Sequence, residues 1–121
     1  MAALKENALT RMSTTVLVDM KTAASTALFT VPVGKTFFVD TLVIRSNSAS
    51  LAGGTSYGAT GWITSGISLN GMTVTNGYRK LFSADNTTYT PIAANAVFYW
   101  IVTTGSTAAC TATIDVFGHL A

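Results

Sequence analysis

Between Ser13 and the last residue, turn signals recur at intervals of roughly 8 to 12 residues, the spacing of an all-β sandwich or barrel. The segments between them are rich in Val, Ile, Thr, Phe and Tyr, which suit a pleated, half-buried surface. Read in order, they run Ser13–Met20, Ala27–Val33, Thr36–Ser46, Trp62–Leu69, Met72–Thr75, Tyr78–Ser83, Thr87–Ile92, Ala96–Thr104 and Ala108–Phe117. We therefore expect a single antiparallel β-sandwich of about eight strands over 13–121. Asn70-Gly71 and Asn76-Gly77 predict type I′ hairpins, hence a local meander. Ser46–Gly61, with four glycines, is the longest expected loop, and loops of that length tend to be functional or mobile. Met1–Met12 is set apart by its helix formers, yet is too short to hold a helix alone. It reads as an N-terminal arm, extended or briefly helical, that orders on the sheet or on a neighbour.

Charge narrows the function. Only 10% of the residues are charged while 49% are hydrophobic, and 21 Thr with 10 Ser supply the polarity that charge normally would. Disordered chains show the reverse balance. A net charge of +2 offers no dense cationic patch for phosphates, so nucleic acid is not an expected partner. Lys5 and Glu6 interrupt the apolar run a secretory leader needs, and Ala96–Val102, the longest strongly apolar stretch, is about a third of the ~20 residues a bilayer requires. No membrane association is expected.

Two segments look apolar on both faces. In Thr36–Arg45, strict alternation sets Phe38, Asp40, Leu42 and Ile44 against Phe37, Val39, Thr41 and Val43; in Ala96–Thr104, Phe98 and Trp100 oppose Tyr99 and Ile101. A strand with one solvated face should be apolar on one side only. With no helices left over, the second cover is expected from another copy of the chain, which places Phe37, Val39, Val43, Phe98 and Trp100 at a subunit interface.

Residues that carry chemistry are sparse. The five carboxylates fall in widely separated segments, so paired acid–base work has no visible basis. Asp40 and Asp115 read as structural carboxylates paired with an arginine such as Arg45 or Arg79. Asp85 with Asn86 is a turn former, and His119 has no partner at metal-ligand spacing. Cys110 reads as a small buried apolar residue, and as the single cysteine it forms no intrachain disulfide. Gly53-Gly54-Thr55 lacks the lysine of a phosphate loop. No catalytic residues, metal site or cofactor are expected. Tyr57 and Trp62, flanking the long loop, are the remaining ligand or contact candidates, with rings able to stack on a sugar, although a place at the end of the sandwich core is the favoured reading.

Three stretches carry a resemblance: Val31-Pro32-Val33-Gly34-Lys35-Thr36-Phe37 leading into an apolar strand, the loop Ser50–Thr55, and the close Ala112–Leu120. Together, across Thr26–Ala121, they resemble the small jelly-roll cement or decoration proteins of tailed-bacteriophage heads. The resemblance implies a non-catalytic virion protein, made in the host cytoplasm, that binds the major capsid protein on the capsid exterior, commonly as a homotrimer, and stabilises the shell. It also implies an arm that reaches the capsid or a neighbour; no motif of the family fixes the contacts, and Leu4, Leu9 and Arg11 are expected there from their exposure and position alone. His119 stands where an aromatic would be expected. The alternative is a glycan-binding or accessory module of a phage tail or fibre.

Overall fold

Eight strands are present among the described residues of the computed structural model, 10–82 and 91–121. They are β1 (Thr10–Asp19), β2 (Ala24–Thr30), β3 (Phe37–Arg45), β4 (Ser56–Ala59), β5 (Ile63–Ile67), β6 (Arg79–Phe82), β7 (Val97–Thr104) and β8 (Thr111–Leu120). Two four-stranded antiparallel sheets, ordered β1-β8-β3-β6 and β2-β7-β4-β5, pack face to face as a sandwich. The pairings nest: β4 with β5, β3 with β6, β2 with β7, β1 with β8. One long antiparallel ribbon has thus been rolled up, and β8 with β3 and β7 with β4 close the roll, a jelly-roll-like connectivity.

Alternation explains the core. In β7, Phe98, Trp100 and Val102 point between the sheets while Tyr99 and Thr103 face out. Edge-to-face ring contacts link Phe29 to Phe37 (4.9 Å) and Phe37 to Phe98 (5.9 Å), and Tyr57 stacks on Trp100 at 5.7 Å.

In β3 the alternation breaks. The register with β8 shifts between Val39 and Thr41, so Asp40 is an extra residue, a β-bulge. Residues after a bulge exchange faces. The inward set becomes Phe37, Val39, Leu42 and Ile44, and the outward set Phe38, Thr41, Val43 and Arg45. The strand that looked apolar on both faces is mostly a single apolar face read across a bulge. Expectations for the subunit interface change accordingly: Phe37, Val39, Phe98 and Trp100 are buried in the core of their own chain and present nothing to a neighbour. Val43 alone of the five lies on an outer face.

Other elements depart from the reading of the sequence. Ser46–Gly61 contains β4, and the rest of it is tied down: Leu51 N–H donates to Met72 O (2.8 Å), and Gly53 N–H donates to the Asn70 side chain (2.6 Å). Met72–Thr75 is not a strand. Neither Asn70 nor Asn76 takes the positive φ a type I′ turn needs. Their side chains instead accept backbone N–H bonds, Asn76 from Thr73 at 2.8 Å, and hold a cap over one end of the sandwich. Thr10–Met12, assigned to the arm, open β1, where Arg11 is opposite Phe117. The remainder of the arm, with Leu4 and Leu9, lies outside the described residues, as does most of Thr87–Ile92 together with Asp85 and Asn86.

Candidate functional site

The outer face of the β1-β8-β3-β6 sheet gathers the side chains of most chemical interest. At its centre Asp115, on β8, is 4% exposed although no further layer covers it among the described residues. Arg45, on the neighbouring β3, donates from Nε to Asp115 Oδ2 at 2.8 Å and from an Nη to Oδ1 at 3.3 Å, and Thr14 Oγ1 on β1 donates to Oδ1 at 2.7 Å. Three strands thus converge on one carboxylate, the pairing anticipated for Asp115. Asp40 at the bulge receives a bond from Thr41 instead, and Arg79 turns away to donate to Ser68 O at 2.7 Å.

Burial alone would raise the Asp115 carboxyl. The bonds from Arg45 and Thr14, with the positive charges of Arg45 and Arg11, outweigh it and hold the group below the usual carboxylate range. Asp19 is held low as well, chiefly by the backbone N–H of Lys21 and then by Thr22. A carboxyl whose folded pKa is depressed stabilises the fold fully above its unfolded value, about 3.9. That stability is lost as pH falls through the folded value. We expect a thermal midpoint that is flat from about pH 7 to 5 and falls below about pH 4. In Arg45→Gln the Asp115 carboxyl loses the partner that holds it low, so the midpoint at neutral pH is lower and its fall in acid is smaller. Superimposable midpoint–pH curves for the two proteins would contradict this assignment.

Around the ion pair runs a rim of rings. Phe38 and His119 are opposite one another on β3 and β8 and stack at 5.0 Å with planes 6° apart. Phe117 follows on β8, half-buried, and Phe82 on β6 and Tyr78 just before it stand 53% and 62% exposed. Lys80 lies on β6 opposite Val43, its ammonium 5.1 Å from the Phe82 ring centroid. Between Tyr78, Lys80 and Arg45 opens a hollow of about 330 Å³ floored by Thr41, Val43 and Phe117. Aromatic rings and arginine around a desolvated centre are the composition of protein-binding surfaces.

The other outer face is different in kind. Ser56, Gly58, Gly66, Ile101 and Thr103 border a depression of about 420 Å³ whose lining is mostly small residues, with Tyr57, Ile63 and Ile101 as the large ones. It carries no charged group. On edge strand β1 the register shifts between Thr15 and Val18, and Leu17, at φ 56° and 77% exposed, is pushed out with Val16. Such a bulge spoils the edge for strand addition.

Tyr57 and Trp62, weighed as a ligand or contact pair against a place in the core, are both fully buried in the core. Tyr57 donates its hydroxyl to Met20 O at 3.1 Å, and burial, with a smaller push from Cys110, raises its phenol to about 12. Neither ring has a face to offer a sugar, so the glycan reading loses the residues it stood on. Cys110 is buried with its thiol directed at Ala49 O, 3.3 Å away. Among the described residues no three His, Cys, Asp or Glu side chains come together in a metal-holding group. Tyr78, Lys80 and Phe82 had no signal in the sequence, because only the register of β6 against β3 brings them beside Val43. Compared with family models, with curated proteins and with solved structures, the chain has no match.

Proposed function

We propose that the chain is a structural, non-catalytic virion protein that attaches to the outer surface of an assembled phage capsid as a homo-oligomer, a trimer by the resemblance described above, and stabilises the shell. The observation that carries this reading is the outer face of the β1-β8-β3-β6 sheet, where exposed Tyr78 and Phe82 join Phe117 around the ion pair of Arg45 with the buried Asp115. A face of that composition is suited to docking on protein. The rolled β-sandwich and a surface solvated by Thr and Ser in place of charge agree with a subunit that works between neighbours. Repetition then supplies avidity, since several modest contacts per oligomer act together.

The test is co-sedimentation of the purified chain with empty capsids of the virus that encodes it, together with its mass in solution. The expected result is pelleting at a fixed ratio to the major capsid protein, from a chain that is oligomeric at micromolar concentration. A monomer that stays in the supernatant at saturating capsid would overturn the proposal.

A further inference from the structure

Charge on the aromatic face is positive on balance, and this bears on what docks there. Among the described residues Arg11, Arg45 and Lys80 contribute three cations against two carboxylates, Asp115 at the centre and Asp40, whose Oδ1 accepts from Thr41 Oγ1 at 3.3 Å. The Asp115 carboxylate is spent, since both its oxygens accept bonds from Arg45 or Thr14 and the side chain is almost wholly buried. Arg45 is not spent. A guanidinium carries five N–H donors, two of which bond Asp115, and its side chain is 40% exposed. Lys80 has no carboxylate partner among the described residues and rests over the Phe82 ring. Two cations with donors to spare therefore flank the same hollow, above an apolar floor of Val43 and Phe117.

We infer that this face binds an acidic protein segment, receiving an aspartate or glutamate carboxylate between Arg45 and Lys80 while an adjoining apolar side chain enters the hollow against Tyr78. The inference deepens the docking reading above and commits it to a partner chemistry. Charge complementarity selects the occupant. A second copy meeting this face with its own would set Arg11, Arg45 and Lys80 of two chains against one another, and like charges across an interface are unfavourable. A nucleic-acid backbone would find three cations and an apolar floor, where it needs a cationic track. A carboxylate beside an apolar residue uses both halves of the site: the planar guanidinium edge matches it in geometry, and Lys80 adds a point charge.

The experiment is an amide chemical-shift titration of the full chain with a blocked peptide of alternating Glu and Phe, in parallel with its Lys–Phe counterpart and a thymidine oligonucleotide. The expected shifts fall on Val43, Tyr78, Lys80 and Phe117, appear with the Glu–Phe peptide alone, and weaken as salt rises from about 50 to about 500 mM. Lys80→Glu, an exposed change, is expected to lower the affinity by about tenfold or more, and Lys80→Arg to retain it. Shifts elsewhere, an equal response to the Lys–Phe peptide, or a stronger one to the oligonucleotide would overturn the inference. Capsid pelleting separates the two proposals. If the native chain pellets and Lys80→Glu pellets equally, the acidic partner is wrong and the capsid role stands. If the native chain does not pellet yet binds the Glu–Phe peptide at this face, the capsid role is wrong and the acidic partner stands.

Discussion

Trp100→Ala is expected to destabilise the protein by about 3–5 kcal/mol, the range for emptying a buried tryptophan site. A domain of this kind holds a total of about 5–15 kcal/mol, so the variant sits near the folding threshold. Its thermal midpoint should fall by about 10–20 °C. The reason is location: Trp100 is fully buried at the middle of β7, stacked on Tyr57, and opposite Ala59 on β4 and Thr26 on β2. Tyr57, the ring stacked on it, is tied by its hydroxyl bond to Met20 O and does not collapse freely into the space. Trp100→Phe should cost much less. It keeps a ring in the stack and removes an indole N–H that has no hydrogen-bond partner among the described residues. Tyr99→Ala, one residue away on the outer face, should cost about 1 kcal/mol or less. Denaturant midpoints of the three variants test the assignment of faces. Were Trp100 an interface residue, its truncation would dissociate an oligomer and leave the subunit's stability nearly intact.

Gly105→Ala is the second large effect, and it is steric. A Cβ at this position would lie 2.3 Å from Lys21 O, 2.5 Å from Met20 O and 2.7 Å from the Lys21 carbonyl carbon, all backbone atoms that no rotamer change can move. Here the chain leaves β7 and crosses beneath the turn that follows β1. Relief requires displacing Met20, whose carbonyl accepts from Ser106 N–H (2.9 Å) and from the Tyr57 hydroxyl, and whose N–H donates to Cys110 O (2.9 Å). Overpacking costs about 1–3 kcal/mol, and each weakened hydrogen bond adds about 1 kcal/mol. A loss of about 3 kcal/mol or more is therefore expected, read as a lower urea midpoint. Gly71→Ala is the control. Nothing lies within 4 Å of its added Cβ and its φ is not positive, so it should be neutral or stabilise by up to about 1 kcal/mol. Equal losses at the two positions would show that chain flexibility, and not contact, is what these glycines supply.

The acid-stability curve of Arg45→Gln and the affinity loss of Lys80→Glu bear on the same few square nanometres of surface. Together they ask whether Arg45 serves the fold, the partner or both. Its two bonds to Asp115 answer for the fold, and its remaining donors answer for the partner.

Alternation and turn spacing were enough to place seven of the eight strands within a few residues, because β1, β3, β7 and β8 are long and their apolar residues recur at the pleat period. The strand missed, β4, is four residues with two small ones, Gly58 and Ala59, and has too little side chain to show a period. The Asn-Gly pairs misled for a definable reason. The same side chains that favour positive φ also bond neighbouring backbone, and here Gly53 and Thr73 offered N–H groups that made the second use available.

What the sequence determined by itself is the class: a sandwich of short strands, weakly charged, with Asp115 destined for an arginine. What only the tertiary structure decided is which residues face out. One extra residue at Asp40 exchanges the faces of the second half of β3, putting Leu42 and Ile44 into the core with Phe37 and Val39 and bringing Thr41, Val43 and Arg45 to the outer face beside Tyr78 and Lys80. In the local pattern the bulge shows only as a strand apolar on both faces, since its place is set by the pairing of β3 with a strand some seventy residues away, and with it is set which side chains the outer face presents.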